Sequence, residues 1–133
     1  MTTRAAGAFD VKLIPQAPPD PDDAPIGRML LDKQFHGPLE ATSKGEMLAA
    51  GTDVKGSAGY VAMERVSGTL DGRRGTFVLQ HSGTMNRGAA SLSVTVVPDS
   101  GTGELTGLTG SMTIDTTGGK HAYVFDYEIV NQS

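Results

Sequence analysis

Residues 59–84 read GYVAMERVSGTLDGRRGTFVLQHSGT. Two runs rich in β-branched and aromatic residues, 60–69 and 76–81, flank Asp71-Gly72. An Asp-Gly pair between such runs is a strong hairpin signal, because a type I′ turn needs positive φ at both central residues. With Asp71 and Gly72 at the turn, Leu70 faces Arg73. Each further pair steps one residue back and one forward, so Glu64 faces Leu79 and Ala62 faces His81. Alternate residues of a strand share a face. Tyr60, Ala62, Glu64 and Val66 therefore share one face, and Phe77, Leu79 and His81 share another. An acid and an imidazole in otherwise core-like runs point to a pocket.

Working toward the N-terminus, residues 52–57 form a polar turn; in 38–50 (PLEATSKGEMLAA) helix would suit GEMLAA, but Gly45 and the short apolar run favour two short extended pieces. Residues 27–37 form a strand with Met29, Leu31, Lys33 and Phe35 on one face. Lys33 among these neighbours has two readings: a stem lying along apolar surface with its charge in water, or an inward functional lysine. Residues 15–25 (PQAPPDPDDAP) hold five of the seven prolines and three aspartates, which disfavours helix and ladder alike and predicts a solvated loop. Before it, 8–14 alternate as a first strand.

Toward the C-terminus, 82–90 (SGTMNRGAA) read as a loop. Residues 92–97 are a strand with Leu92, Val94 and Val96 inward. The link 98–103 is turn-rich, 104–110 is a short glycine-bounded piece, and 111–115 is a strand. Residues 116–120 (TTGGK) are a second hairpin turn. Residues 121–130 close the chain with Tyr123, Phe125, Tyr127 and Ile129 on one face. The total is about eight short strands and no long helix, the pattern of an antiparallel barrel or sandwich. An eight-stranded barrel encloses a lumen that side chains fill or that holds one small ligand.

Composition narrows the function classes. At 133 residues the chain is one domain with room for a sizeable core. It has no cysteine, which excludes disulfides and thiolate chemistry. The net charge of −4 argues against a nucleic-acid partner, which asks for a basic face. No window reaches the roughly 18 apolar residues of a membrane span, and the N-terminus lacks a secretory h-region. A cytoplasmic protein is the default expectation. The sequence leaves a homo-oligomer open.

The combination of ERVSGTLDGRRG, FVLQHSGTM and VVPDSGTGEL closely resembles the DUF3224 family of small bacterial proteins, over about residues 8–129. That family is similar to the allene oxide cyclase barrels, and the GTGELTGLTG run resembles a glycine-rich segment of those cyclases and of dirigent proteins. The resemblance implies an all-β, single-domain, eight-stranded antiparallel barrel. It implies no reaction, although relatives on this barrel include cofactor-free cyclases.

If the apolar parity of each strand faces the lumen, Lys33, Glu64 and His81 enter one cavity with the phenols Tyr60, Tyr123 and Tyr127. Glu64, His81 and Lys33 are the candidate catalytic residues. Tyr60, Phe35, Leu79, Met85, Tyr123 and Tyr127 are the candidate substrate contacts. A Glu–His pair in an apolar pocket is equipment for moving a proton. The competing reading is structural: Glu64 pairs with Lys33 or Arg65, and His81 caps a strand end. His36, His81 and His121 lack metal-ligand spacing, so neither metal nor cofactor is expected. Ser43, Ser82 and Ser100 lie in no nucleophile elbow. Gly101 and Gly103 fit turn chemistry better than an anion nest, and Arg73-Arg74 reads as a solvated tip. Two function classes remain. One is a cofactor-free isomerase, lyase or cyclase acting on a small apolar molecule. The other is a non-catalytic binding or structural barrel. The state of the lumen separates them.

Overall fold

The computed structural model describes residues 2–16 and 26–130. Most of the proline-rich stretch read as a loop, residues 17–25, lies outside the described residues. Eight strands run in chain order around a closed antiparallel barrel: β1 (Thr3–Pro15), β2 (Ile26–Phe35), β3 (Leu39–Gly51), β4 (Ala58–Leu70), β5 (Arg73–Asn86), β6 (Ala89–Val96), β7 (Leu108–Asp115) and β8 (Ala122–Ile129). β1 closes the barrel on β8 in the register Ala5↔Phe125 and Gly7↔Tyr123.

The β4–β5 hairpin sets the frame. Asp71 has φ 49° and Gly72 has φ 84°, the pair of positive angles that a type I′ turn requires. The register runs from Leu70↔Arg73 through Glu64↔Leu79 and Ala62↔His81 to Ala58↔Met85 without slipping. Unbroken register preserves parity over the whole hairpin, so Glu64 and His81 point into the same interior. Both are buried.

β1 is longer than the 8–14 expected, running from Thr3 to Pro15, which pairs with Met29 at the end of its ladder instead of opening the loop. Three further readings differ from the sequence expectation. Residues 38–50 are not two pieces: β3 is one unbroken strand of 13 residues. Gly45 is no break but a close approach to its β4 neighbour, since a Cβ there would stand 2.6 Å from the Glu64 Cα. Residues 82–90 are not a loop: β5 continues to Asn86, turns at Arg87-Gly88, and β6 starts at Ala89. The glycine at 83 and the run of small polar residues imitate loop composition, but their partners Tyr60 and Leu92 keep them in the ladder. Leu92, expected inward with Val94 and Val96, sits at the barrel rim and is 44% exposed, while the other two are buried.

The two barrel ends differ. One carries the turn at Asp71-Gly72, the 36–38 connection, and the long 97–107 connection with its 3₁₀ turn at Gly103–Leu105. Here aromatics fill the lumen. Phe77 stacks on Phe125 at 5.8 Å, Phe125 on Tyr127 at 5.5 Å, and Phe35 meets the Tyr123 ring edge-on at 5.5 Å. The Tyr123 hydroxyl donates to the His36 carbonyl and accepts from the Leu39 N–H. The Tyr127 hydroxyl donates to the Asp71 carboxylate. Each tyrosine thus ties β8 to a connection across the barrel. The other end, called the mouth below, carries residues 52–57, 87–88 and 116–121. β6 and β7 share a narrow seam, with the single register pair Thr95↔Ser111.

Burial, and then the bond to Asp71 and its charge, push the Tyr127 phenol up to about 12. The folded protein keeps this proton where the unfolded chain has lost it. Tyr127 therefore contributes stability that is fully present below pH 10 and fades as pH rises toward 12. Tyr127→Phe is expected to cost about 1 kcal/mol at neutral pH and to flatten the alkaline loss, as read by urea melts near neutral pH and near pH ~11.

Candidate functional site

Midway along the lumen the aromatic packing gives way to charge. Glu64 on β4 is buried between β3 and β5. Its Oε2 accepts from the Lys33 ammonium of β2 at 2.8 Å and from His81 Nε2 of β5 at 2.7 Å. Its Oε1 accepts from the Ser43 hydroxyl of β3 at 3.0 Å. Lys33 lies over the rings of Phe9 and Phe35, at 5.2 and 5.7 Å from their centroids, so its charge is held by π faces as well as by the carboxylate. Four consecutive strands meet at one side chain.

Parity explains the meeting. Lys33, Ser43, Glu64 and His81 all occupy inward positions of neighbouring strands, in the registers Lys33↔Ser43, Ser43↔Val66 and Ala62↔His81. Gly45 lets β3 press against Glu64. Of the two readings of Lys33, the inward one describes its place, with Glu64 rather than water as its neighbour.

Burial is the strongest single influence on the Glu64 carboxyl and works against ionisation. The His81 hydrogen bond, the Lys33 charge and the Lys33 hydrogen bond together outweigh it, so the carboxyl is held below its ordinary range. Glu64 is ionised at neutral pH and accepts, so His81 Nε2 carries a hydrogen. In the neutral ring Nδ1 is then an acceptor. It faces the Tyr60 hydroxyl at 3.3 Å. Burial first, and then the Glu64 charge, raise the Tyr60 phenol above its ordinary value, so at neutral pH it keeps its proton.

A chain of polar groups therefore runs Lys33–Glu64–His81–Tyr60 from the core toward the mouth. Tyr60 is half-buried and lines a hollow of about 480 Å³ at the mouth, with Met47, Met85, Leu92 and Thr116 around it. A larger hollow, about 760 Å³, lies on the outer wall over β2 to β5. Arg28, Glu46, Leu48, Val61, Met63 and Gln80 line its outward side, and His81 borders it.

The structure brings Glu64, His81, Lys33 and Tyr60 together and sets Met85 on the rim of the mouth hollow. Phe35 and Leu79 are wholly buried beside the cluster. Tyr123 and Tyr127 face the lumen but direct their hydroxyls to the turn end, where they are committed to His36, Leu39 and Asp71. One phenol, not three, meets the cluster. The lumen is open as far as Tyr60 and closed over Glu64 and His81. Ser43 was missed as a member. Its shared face with Leu39 and Ala41 was the available signal, and it was lost where β3 was read as two pieces. Among the described residues no three His, Asp or Glu side chains form a metal-holding group, and no helix is long and apolar enough to cross a membrane.

A model of a protein family of unknown function, DUF3224, matches residues 5–127. The chain belongs to the DUF3224 family. A crystal structure of a DUF3224 protein of unknown function from Shewanella oneidensis MR-1 superposes with a TM-score of 0.93. The two are 51% identical, over 99% of this chain and 100% of that one. No curated protein matches. DUF3224 membership thus carries the barrel and leaves the chemistry to the residues.

Glu64 contributes stability that is present above pH 4.5 and is lost as pH falls through its lowered value. Lys33→Met leaves the buried carboxylate with His81 and Ser43 alone. It is expected to destabilise by about 3 kcal/mol at neutral pH. That penalty is expected to shrink on acidification to pH ~4, because the buried Glu64 of the variant, without the Lys33 charge, takes up a proton more readily than that of the wild type. Denaturant melts of the two proteins across this range check both parts.

Proposed function

We propose that this barrel binds a small apolar molecule at its mouth and moves a proton on it, with Tyr60 as the contact group and His81 as the proton store. The observation that carries this reading is the hydrogen-bonded chain from the mouth hollow through Tyr60 and His81 to the sealed carboxylate of Glu64. In the working step the Tyr60 oxygen takes a proton from the ligand while the Tyr60 proton passes to His81 Nδ1. The bond broken on the ligand leaves its electron pair there, and the imidazolium formed is stabilised by the ionised Glu64. Returning the proton to another ligand atom is an isomerisation. Expelling a group or closing a ring with the freed pair is a lyase or cyclase step. The protein's own groups suffice for this proton movement, and Lys33 keeps Glu64 ionised so that it remains an acceptor.

A non-catalytic binding barrel is the second reading, and one observation favours it. Among the described residues no buried polar side-chain atom lacks a hydrogen-bond partner. A cluster so fully satisfied also serves as structure alone.

A neutral nitrobenzisoxazole separates the two. Its ring opens to a coloured cyanophenolate when a base removes its carbon-bound proton and the N–O bond breaks. Proton transfer at the mouth is expected to open it faster than buffer does. Tyr60→Phe and Glu64→Gln, each checked for an intact fold, are expected to lower that rate about a hundredfold. A wild-type rate equal to that of buffer, or variants as fast as wild type, would leave the binding barrel as the reading.

A further inference from the structure

We infer that the mouth hollow takes a neutral molecule of one or two rings bearing a single hydroxyl group, and that Gly83 is the position that makes its seat. The inference rests on the reading of the mouth as the binding site and adds the class of ligand to it.

Size comes first. About 480 Å³ lies in the lower part of the range for small-molecule sites. The hollow is bordered by Ala90, Ser91 and Leu92 of β6 and by Thr116 just beyond β7, and its volume admits a molecule of one or two flat rings.

The lining decides the charge. Met47, Met85 and Leu92 supply thioether and aliphatic surface, and Tyr60 supplies a ring face. The polar side chains among the described lining residues are the hydroxyls of Tyr60, Thr84, Ser91 and Thr116. None carries a carboxylate, ammonium or guanidinium. The nearest buried cation, Lys33, is committed to Glu64. An ion brought into this lining would lose water and gain no counter-charge, which is costly. A neutral ligand meets no such penalty.

The polar contact follows from the hydrogen-bond chain. Glu64 holds the hydrogen on His81 Nε2, and in the neutral ring Nδ1 then accepts from the Tyr60 hydroxyl. What Tyr60 still offers the hollow is oxygen lone pairs. The complementary ligand group is a donor, an alcohol or phenol O–H, rather than a bare carbonyl or ether.

Gly83 makes this geometry possible. A Cβ built there would stand 2.5 Å from Tyr60 Cε1 and 3.3 Å from Leu92 Cδ1. The Tyr60 ring therefore lies against bare backbone of β5, and that contact sets its hydroxyl beside His81. The Gly83 φ is not positive, so alanine is compatible with the backbone and only the ring stands in its way.

The test uses methyl-labelled methionine and three probes of one shape: naphthol, naphthalene and the naphthoate anion, at neutral pH. Naphthol is expected to shift the Met47 and Met85 methyls saturably and to bind at least about tenfold more tightly than naphthoate. Tyr60→Phe is expected to weaken naphthol roughly fivefold to tenfold and leave naphthalene unchanged. Gly83→Ala, folded by its amide spectrum, is expected to weaken both. Naphthoate binding as tightly as naphthol would overturn the inference. So would shifts at Met63 of the outer groove in place of Met47 and Met85, or no saturable shift at all. Proton transfer is not read in this titration. A barrel that binds naphthol but leaves the nitrobenzisoxazole intact keeps the ligand class and loses the reaction.

Discussion

A carboxylate placed inside a barrel must be neutralised or protonated, and this fold is arranged around meeting that demand at Glu64. The charge is answered by Lys33, the remaining lone pairs by Ser43 and His81, and each partner comes from a different strand. Hydrophobic packing sets which face of a strand turns inward but does not require one particular partner for each side chain. A buried ion pair with directed hydrogen bonds does. If β3 slipped by one residue, Lys44 would turn inward in place of Ser43 and crowd a second cation against Lys33. We regard the cluster as the register lock of β2 to β5.

The division of the lumen follows from the same demand. Below the cluster, aromatic side chains from β1, β2, β5 and β8 interlock, and two tyrosines tie β8 to the connections around positions 37 and 71. Above it, the inward positions carry smaller or more flexible residues: Gly45, Met47 and Ala49 on β3, Ala58 on β4, Gly83 and Met85 on β5. The filled half supplies rigidity and the hollow half supplies space. Tyr60 stands at the boundary, with its ring in the hollow and its hydroxyl on the cluster.

Much of this was legible in the sequence. The Asp71-Gly72 turn fixed the β4–β5 register, and register with parity was enough to bring Glu64 beside His81. What parity does not give is height. It placed Tyr123 and Tyr127 on the lumen face correctly but could not say that their hydroxyls reach the connections at the turn end and not the cluster. Height depends on the stagger between non-neighbouring strands, which accumulates around the barrel and has no local signature. Ser43 was obscured for a different reason. Gly45 looks like a strand break in the sequence but serves close contact across the wall, and a glycine's sequence neighbours do not tell those uses apart.

The seam between β6 and β7 has a bearing on how the molecule behaves in a crowd of its own kind. A closed barrel abolishes free strand edges. This one is least tightly joined toward the mouth, where β6 and β7 run side by side with Thr95↔Ser111 as their register pair. Unsatisfied edges invite strands from other chains. Here Ser91 and Ser93 on β6 and Thr113 and Asp115 on β7 are all exposed, and the two strands are among the shortest in the fold, at 8 residues each. Short, hydroxyl-rich edges with a terminal carboxylate are poor templates for aggregation. The sparsely paired stretch beside Leu92 is thus kept from becoming a docking strip for neighbouring molecules.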